Sequence, residues 1–464
     1  MAVVGAGIAG LAVAHAVRRR APESEVTVLE ASSRPGGNIR SERVDGYLCE
    51  WGPNGFLDSV PETLAFVRDL GLAERVQRSD DRARRRFIFR DGRLHVLPGG
   101  PAAFLGSRLL SWRGKLRIAG EPFAPGRPDG DETIHAFAAR RIGREAADVL
   151  VGSMVSGVFA GDARALSLRA CFPKMWQMET DHGGLFRALL AKVRERRVRR
   201  GDALGSPLGT LTSFRDGTEE LVRAAAAALG HSLRLGAEVT ALRRSGSRWR
   251  VEAAGDGGIE ADAVVLAGPP SASARLVSEV DDPLAAELAA IPSAGLAVVA
   301  LGFEESRLAA PLDGFGFLVP RGEGPRVLGV LWDSSIYPGR APSGRVLLRA
   351  MIGGALDPEA VRLEDEGLLA VVRRDLEATM GLSADPAFVR IYRHPLGIPQ
   401  YVVGHLGRLA RVGDRLARLP GLHVAGNGYR GVAINSCVAE ARPLAGRILA
   451  AAGRGVSSGG RDAA

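Results

Sequence analysis

Lysine is nearly missing from this chain. Only Lys115, Lys174 and Lys192 stand among its 61 basic residues, and the rest are arginine. Cysteine is almost as scarce. Cys49, Cys171 and Cys437 make an odd number without a CxxC spacing, which excludes a disulfide scaffold and a zinc site and fits buried thiols in a reducing compartment. No signal peptide is visible, and no apolar run approaches the roughly 20 residues that a membrane-spanning helix needs. The longest run, GLAVVALGF at 295–303, reads as a buried strand. Internal repeats are absent, and so are helix-turn-helix, zinc-finger and RNA-recognition motifs. A nucleic-acid partner is therefore not expected, although the net charge is +9 and the pI about 10.1. The arginines are scattered. The one dense cluster, ALLAKVRERRVRRGD at 188–202, reads as a solvated helix end or a patch for lipid headgroups.

What remains is an ordinary soluble composition over 464 residues, 46% hydrophobic and 24% charged, long enough for two or three domains. The N-terminal segment MAVVGAGIAGLAVAHAVRRRAPESEVTVLEAS reads as strand, tight turn, Ala-rich helix and second strand. From about 99 to 205 the pattern is helical. Strand signals return at 233–244, 249–254 and 262–270. The end, LHVAGNGYRGVAINSCVAEARPLAGRILAAAG, is again strand, Gly-rich turn and helix, followed by a polar tail. Phosphate-cradling turns at both ends predict one α/β nucleotide domain assembled from distant pieces.

The first cradle is Gly5-x-Gly7-x-x-Gly10. Gly5 permits the turn, Gly7 lets backbone approach a pyrophosphate, and Gly10 lets helix and strand close on each other. The helix start adds free N–H groups and partial positive charge. Glu30 ends the second strand twenty residues after Gly10, where a carboxylate takes a ribose hydroxyl and repels the extra phosphate of NADP. Just past Glu30 come Arg34, Gly36 and Gly37. This Arg-x-Gly-Gly run resembles the FAD-dependent amine oxidase and desaturase superfamily. At 431–437, GVAINSC opens a helix whose amides suit the N1–C2=O side of a flavin.

A stretch at 314–320, GFGFLVP, alternates two glycines with two phenylalanines and carries no charge. Gly weakens a strand, so the pattern signals a bulge or a flat ligand. Together with RFIFRDGRLHVLP (86–98), VSGVFAGD (155–162), LGIPQY (396–401) and GVAINSC it resembles, in the same order and over nearly the whole chain, the protoporphyrinogen oxidases. The coproporphyrinogen oxidases of the coproporphyrin-dependent haem route share most of these motifs.

The resemblance implies a discontinuous Rossmann-like FAD-binding domain (1–80, 206–270 and 401–452) with an inserted α+β substrate domain (81–98 and 271–400), a helical membrane-facing domain (99–205) and a disordered tail (453–464). It implies removal of six electrons from a porphyrinogen, with O2 as acceptor and H2O2 as product. FAD would be held by Gly5, Ala6, Gly7, Ile8, Ala9, Gly10, Glu30, Ala31, Arg34, Gly37, Asn38, the loop Gly52, Pro53, Asn54 and Gly55, then Val239, Val432, Ala433 and Ile434. On the substrate side, Arg86 would pair with a propionate and the Gly157 carbonyl would face pyrrole N–H groups. Phe315 and Trp332 would sandwich the macrocycle, with Gly314 and Gly316 leaving clearance for it. An arginine fork suits a carboxylate, and an apolar pocket with few placed charges suits a macrocycle with acidic arms.

Two positions depart from the family pattern: Trp332 stands where Phe is frequent, and Ser436 follows Asn435 where Asp is usual. No catalytic acid or base is expected, because hydride transfer to the flavin with imine–enamine tautomerisation needs mainly positioning. His182 and His394 are expected to be structural. The expected partners are a porphyrinogen and O2, with a membrane surface, a second copy of the chain and the next haem-pathway enzyme as further candidates. The expected location is the cytoplasm or the inner face of the cell membrane. Competing readings are a coproporphyrinogen III oxidase, an amine oxidase, and a flavin-binding protein without turnover.

Overall fold

A computed structural model describes residues 1–198 and 209–453. The tail at 454–464 and the last part of the 188–202 basic cluster lie outside the described residues. Five parallel strands form the first sheet, in the order Leu233–Leu235, Thr27–Glu30, Ala2–Val4, Val264–Leu266 and Leu422–Val424. Because side chains alternate along a strand, this sheet feeds two cores. Val3, Val28 and Val265 face the helices Ile8–Arg20, Glu219–Leu229 and Ile434–Ala451. Ala2, Leu29, Val264 and Leu266 face an antiparallel sheet (Val239–Ser245, Arg248–Ala253 and Asp256–Ala261), whose Trp249 is fully buried.

The helix Ile8–Arg20 is rich in Ala, Leu and Val, and its cations Arg18, Arg19 and Arg20 fall in the last turn, where the helix dipole favours them. Arg18 Nη1 donates to the Leu229 carbonyl at 3.0 Å and Arg20 Nη1 to the Arg442 carbonyl at 2.7 Å, tying the three helices of this layer together. The segment 233–244, where strand and hairpin signals return in the sequence, holds two strands. Gly236 (φ +68°) ends the parallel strand, and Val239 opens the antiparallel one. Helices Pro270–Val277 and Asp282–Ala289 also pack beneath the parallel sheet, through Ala274, Val277, Leu284 and Leu288.

The second sheet has seven strands, in the order Phe388–Pro399, Ser293–Glu304, Arg345–Gly353, Val327–Leu331, Gly316–Leu318, Phe87–Arg90 and Arg93–Val96. All pair antiparallel except Gly316–Leu318 with Phe87–Arg90. Ala297, Val299, Leu301 and Phe303 face one side, where Leu368, Val372 and Leu376 of helix Asp365–Met380 recur every four residues. Val298 and Ala300 face the other, against Tyr47 and Cys49. Burial on both faces is why GLAVVALGF shows no polar alternation.

Between 101 and 198 the chain is helical. Helix Ser153–Phe159 follows a π-helical turn, Ala147–Gly152, and is anchored by Gln400, whose Nε2 donates to the Phe159 carbonyl at 2.8 Å. The three cysteines are free thiols; burial pushes each one up to about 12. Among the described residues no His, Cys, Asp and Glu cluster is fit to hold a metal, and no helix is long and apolar enough to cross a membrane.

Candidate active site

At the carboxyl ends of the parallel strands the first Gly turn is built as its spacing requires. Gly5 sits at φ +102°, and a Cβ on Gly10 would lie 2.0 Å from the Gly5 carbonyl oxygen, so neither position takes a side chain. Around Gly7 a Cβ would meet nothing within 4 Å, so its backbone stands open. Glu30 lies beneath the turn. One carboxylate oxygen accepts from the Ala6 N–H at 2.7 Å, and the other from Ser32 N and Oγ at 3.0 and 2.7 Å. A carboxylate has about four lone-pair sites, so acceptor capacity remains. The Ala237 N–H donates to the Glu30 carbonyl at 2.8 Å, which brings Val239 close to the same end. Ile8 and Ala9 open the helix; Ala31 is exposed at the strand end.

The second glycine pair folds back onto the first. Gly36 donates to the Ala6 carbonyl at 2.8 Å, and a Cβ on Gly37 would lie 3.4 Å from Gly7 Cα. Arg34 turns inward: its guanidinium donates to the Gly37 carbonyl at 2.8 Å and the Pro35 carbonyl at 3.2 Å, so it shapes the loop from within. Asn38 reaches toward the LGIPQY strand, its Nδ2 3.4 Å from the Gly397 carbonyl. The Gly52–Gly55 loop is pressed on Asn38 and Thr212, since a Cβ on Gly52 or Gly55 would lie 2.3 Å from their carbonyl oxygens. Asn54 holds both side-chain polar atoms buried with no partner among the described residues, a costly state that a polar ligand relieves.

The third element is the start of helix Ile434–Ala451. Ala433 caps it in an extended conformation, and Val432 packs with Val155 and Phe159 of the helical region. Ser436 lies against Gly431, where a Cβ would meet its Oγ at 2.2 Å, so the small residue in place of Asp closes the turn by contact. Asn435 Nδ2 donates to the Leu57 carbonyl at 2.9 Å. Two glycine-opened loops, a carboxylate at the strand end, an orphaned amide and a helix start therefore converge, and this donor set fits an FAD.

On the other side of helix Ser153–Phe159 stands an apolar wall. Gly157 is in the last helical turn, whose carbonyls have no intrahelical donor, and a Cβ there would lie 2.6 Å from Leu318 Cδ2. Phe315 is half-buried, with the Arg86 guanidinium 4.9 Å from its ring centroid. Arg82, Arg84 and Arg85 pair with Asp80, Asp81 and Asp313. Among the described residues Arg86 has no ion pair and no side-chain hydrogen bond, and desolvation holds its pKa below the usual arginine value.

The glycines of GFGFLVP serve a different purpose from the expected clearance for a ligand. A Cβ on Gly314 would strike Phe87 at 2.7 Å and Trp332 at 3.1 Å, and one on Gly316 (φ +124°) would lie 2.0 Å from the Val330 carbonyl oxygen. Protein fills both spaces. Trp332 is only 5% exposed, in the core of the second sheet with its ring 5.2 Å from Phe87, so Phe315 is the more open of the two rings. His394 Nε2 donates to the Trp51 carbonyl at 2.7 Å, and burial lowers its pKa from the ordinary histidine value. Leu318, inside the same motif, escapes a sequence reading that weighs aromatic rings alone.

Chains with known roles resemble this one throughout its length. The model of the flavin containing amine oxidoreductases matches residues 8–449. Protoporphyrinogen oxidase of Bos taurus is 36% identical, over 96% of this chain and 98% of that protein. Coproporphyrinogen III oxidase of Bacillus subtilis is 31% identical, over 95% and 96%. A solved structure from Exiguobacterium sp. 255-15, described as a candidate protoporphyrinogen oxidase, superposes with TM-score 0.83 at 28% identity, covering 96% of this chain and 98% of that one. The chain belongs to the flavin containing amine oxidoreductases, and its cofactor is FAD.

Proposed function

We propose that this protein oxidises protoporphyrinogen IX to protoporphyrin IX in haem biosynthesis, passing six electrons in three two-electron steps to three O2 and releasing three H2O2. The observation that carries the reading is Arg86, a guanidinium without a carboxylate partner among the described residues, over the half-buried Phe315 ring at the edge of an apolar wall. Such a site suits a large apolar ring with acidic arms. Full-length similarity to named protoporphyrinogen oxidases supports it.

FAD, when bound, supplies the hydride acceptor and returns electrons to oxygen. Gly5, Ala6, Gly7, Ile8, Ala9 and Gly10 would hold its pyrophosphate, Glu30 and Ala31 the ribose, and Val239 the adenine side. Gly37, Asn38 and the Gly52–Gly55 loop would flank the ribityl, with Arg34 keeping the loop in shape. Val432, Ala433 and Ile434 would border the ring. Phe315, Leu318 and the Gly157 carbonyl would orient the macrocycle, Arg86 would take a propionate, and Trp332 would back the wall.

We read the chain as three parts: an FAD domain (1–80, 206–270 and 401–452), a substrate domain (81–98 and 271–400) and a membrane-facing helical domain (99–205). The strongly exposed Leu105, Trp112, Leu116 and Phe123, with the exposed Arg113 among them, support the membrane role.

A second reading, coproporphyrinogen III oxidation, is favoured by the similarity to the Bacillus subtilis enzyme. Paired fluorescence assays on FAD-loaded protein under air, with an enzyme-free blank, separate the two. Faster protoporphyrin than coproporphyrin emission is expected, the reverse ratio assigns the second substrate, and no rate above blank for either overturns both.

A further inference from the structure

A buried charge cluster lies between the cofactor loop and the apolar wall. Glu50, Asp333, Arg340 and Arg349 are each at most 2% exposed, two carboxyl groups against two guanidiniums, and burial raises the Asp333 pKa. Arg340 Nη1 reaches Glu50 Oε1 at 2.8 Å, and Arg349 Nε reaches Asp333 Oδ2 at 3.0 Å. Arg349 does more than neutralise a charge. Its Nη1 donates to the Gly52 carbonyl at 2.9 Å, on the loop that precedes Asn54.

Asp333 sits on the opposite component. It follows Trp332 directly and opens the one-turn helix Asp333–Ile336. That turn holds the wall from several sides. The Trp332 N–H donates to the Phe315 carbonyl at 3.0 Å, and Ser335 Oγ accepts from the Gly314 N–H at 3.3 Å. The Ile336 carbonyl accepts from the Asp80 N–H at 2.9 Å, at the head of the arginine run that ends in Arg86. Ser334 Oγ accepts from Leu347, on the strand that carries Arg349.

We propose that Arg349, paired with Asp333, is a positioning residue that sets the spacing between the cofactor loop at Gly52 and the wall carrying Phe315 and Arg86. This rests on the reading that the Gly52–Gly55 loop borders FAD and that Phe315 borders the porphyrinogen. The chemistry favours a positioning role over a stabilising one. A buried ion pair costs desolvation, and a well-packed apolar pair of similar volume is frequently as stable. A planar guanidinium, however, fixes the direction of its ion-pair contact with Asp333 relative to its Nη1 bonds to the Gly52 carbonyl and, at 3.4 Å, the Glu50 carbonyl, which neither an apolar pair nor a lysine reproduces. Hydride transfer is sensitive to such spacing, since a misplacement of about 1 Å costs on the order of a hundredfold in rate.

The test uses the full chain as Asp333→Asn, Arg349→Lys and the double variant Arg349→Met with Asp333→Leu. Four quantities are read: the thermal midpoint, FAD affinity by flavin-fluorescence titration of apoprotein, visible circular dichroism of bound flavin, and anaerobic flavin bleaching by protoporphyrinogen IX. The double variant is expected to melt close to the parent. Its FAD affinity should weaken about tenfold, its flavin dichroism change, and its limiting bleaching rate fall about tenfold or more. Arg349→Lys, which keeps the charge but not the planar fork, should also melt close to the parent and keep only part of the rate. A double variant with parental affinity, dichroism and rate overturns the proposal. If that variant does not fold, the near-isosteric Asp333→Asn decides: lower rate and altered dichroism support the proposal, and parental values overturn it. Should the parent not bleach with protoporphyrinogen IX, the substrate reading falls, while affinity and dichroism still decide the role of Arg349.

Discussion

Arg86 is one guanidinium among many, distinguished by what it lacks. Three arginines before it in the chain are each held by an aspartate, and among the described residues it is held by none. A charged hydrogen bond to a carboxylate is worth about 2 kcal/mol, about a thirtyfold change in an equilibrium. Replacing Arg86 with Gln is therefore expected to raise the half-saturating porphyrinogen concentration about thirtyfold with FAD content unchanged; steady-state assays on FAD-loaded protein check this, and an unchanged value would remove Arg86 from the site. At this scale the sequence was informative where a role depends on near neighbours. Gly5, Gly7, Gly10 and Glu30 work within one strand–turn–helix–strand unit, so their spacing carried their meaning. Arg349 and Gly52 are 297 residues apart, and no local pattern marks either as the partner of the other.

Elements were legible where one force dominated. The run GLAVVALGF reads as a buried strand because it is covered on both faces. The segment 233–244 was less legible, because a single Gly236 decides whether strand pairing continues or turns.

Two further predictions belong at this scale. His423, on the strand Leu422–Val424, is lowered to about 4 by burial and, to a lesser degree, by Arg447. Above about pH 6.5 both folded and unfolded chains hold this imidazole neutral. Between about 6.5 and 4 the unfolded chain takes up a proton that the folded one refuses, so stability falls as pH falls. His15, His394 and His405 are lowered in the same direction by burial and add to the slope. Thermal midpoints should drop between pH 7 and pH 5, and His423→Gln should flatten that slope.

The second concerns the short helical pieces from 101 to 123. Phe123 is 90% exposed and Trp112 66% exposed, and each is worth about 1.5–3 kcal/mol when buried in an apolar phase. Replacing Phe123 with Asp and Trp112 with Ala should weaken co-sedimentation with anionic vesicles about a hundredfold, with flavin content intact. Parental vesicle binding in this variant would place the membrane contact elsewhere.

At the scale of the whole molecule, a few deeply buried charges tie the hairpin Ser41–Val44 and Tyr47–Glu50 and the strand Leu211–Phe214 to the segment that leads into strand Arg345–Gly353 of the seven-stranded sheet. Arg340 alone joins Glu50 at 2.8 Å and Ser213 Oγ at 3.0 Å, and Glu50 in turn accepts from Ser41 Oγ and the Thr218 N–H. Removing one partner of such a pair leaves an uncompensated charge and costs about 3–5 kcal/mol. Arg340→Met is thus expected to lower the thermal midpoint by several degrees; calorimetry checks this, and a melt at or above the parent's would mean the cluster is dispensable for holding these segments together.

The sequence by itself determined the nucleotide turn, the acid at the second strand, the order of the motifs and the class of ligand. Each of these depends on residues close in the chain or on a pattern kept along its whole length. Only the tertiary structure decided that the glycines of GFGFLVP make room for Val330, Phe87 and Trp332, that Trp332 is core, that Arg86 stands unpaired, and that Asp333 and Arg349 connect wall to loop. Burial and pairing depend on which distant segments pack together. That choice is made by the summed free energy of two sheets and their helices, and no single stretch of sequence records it.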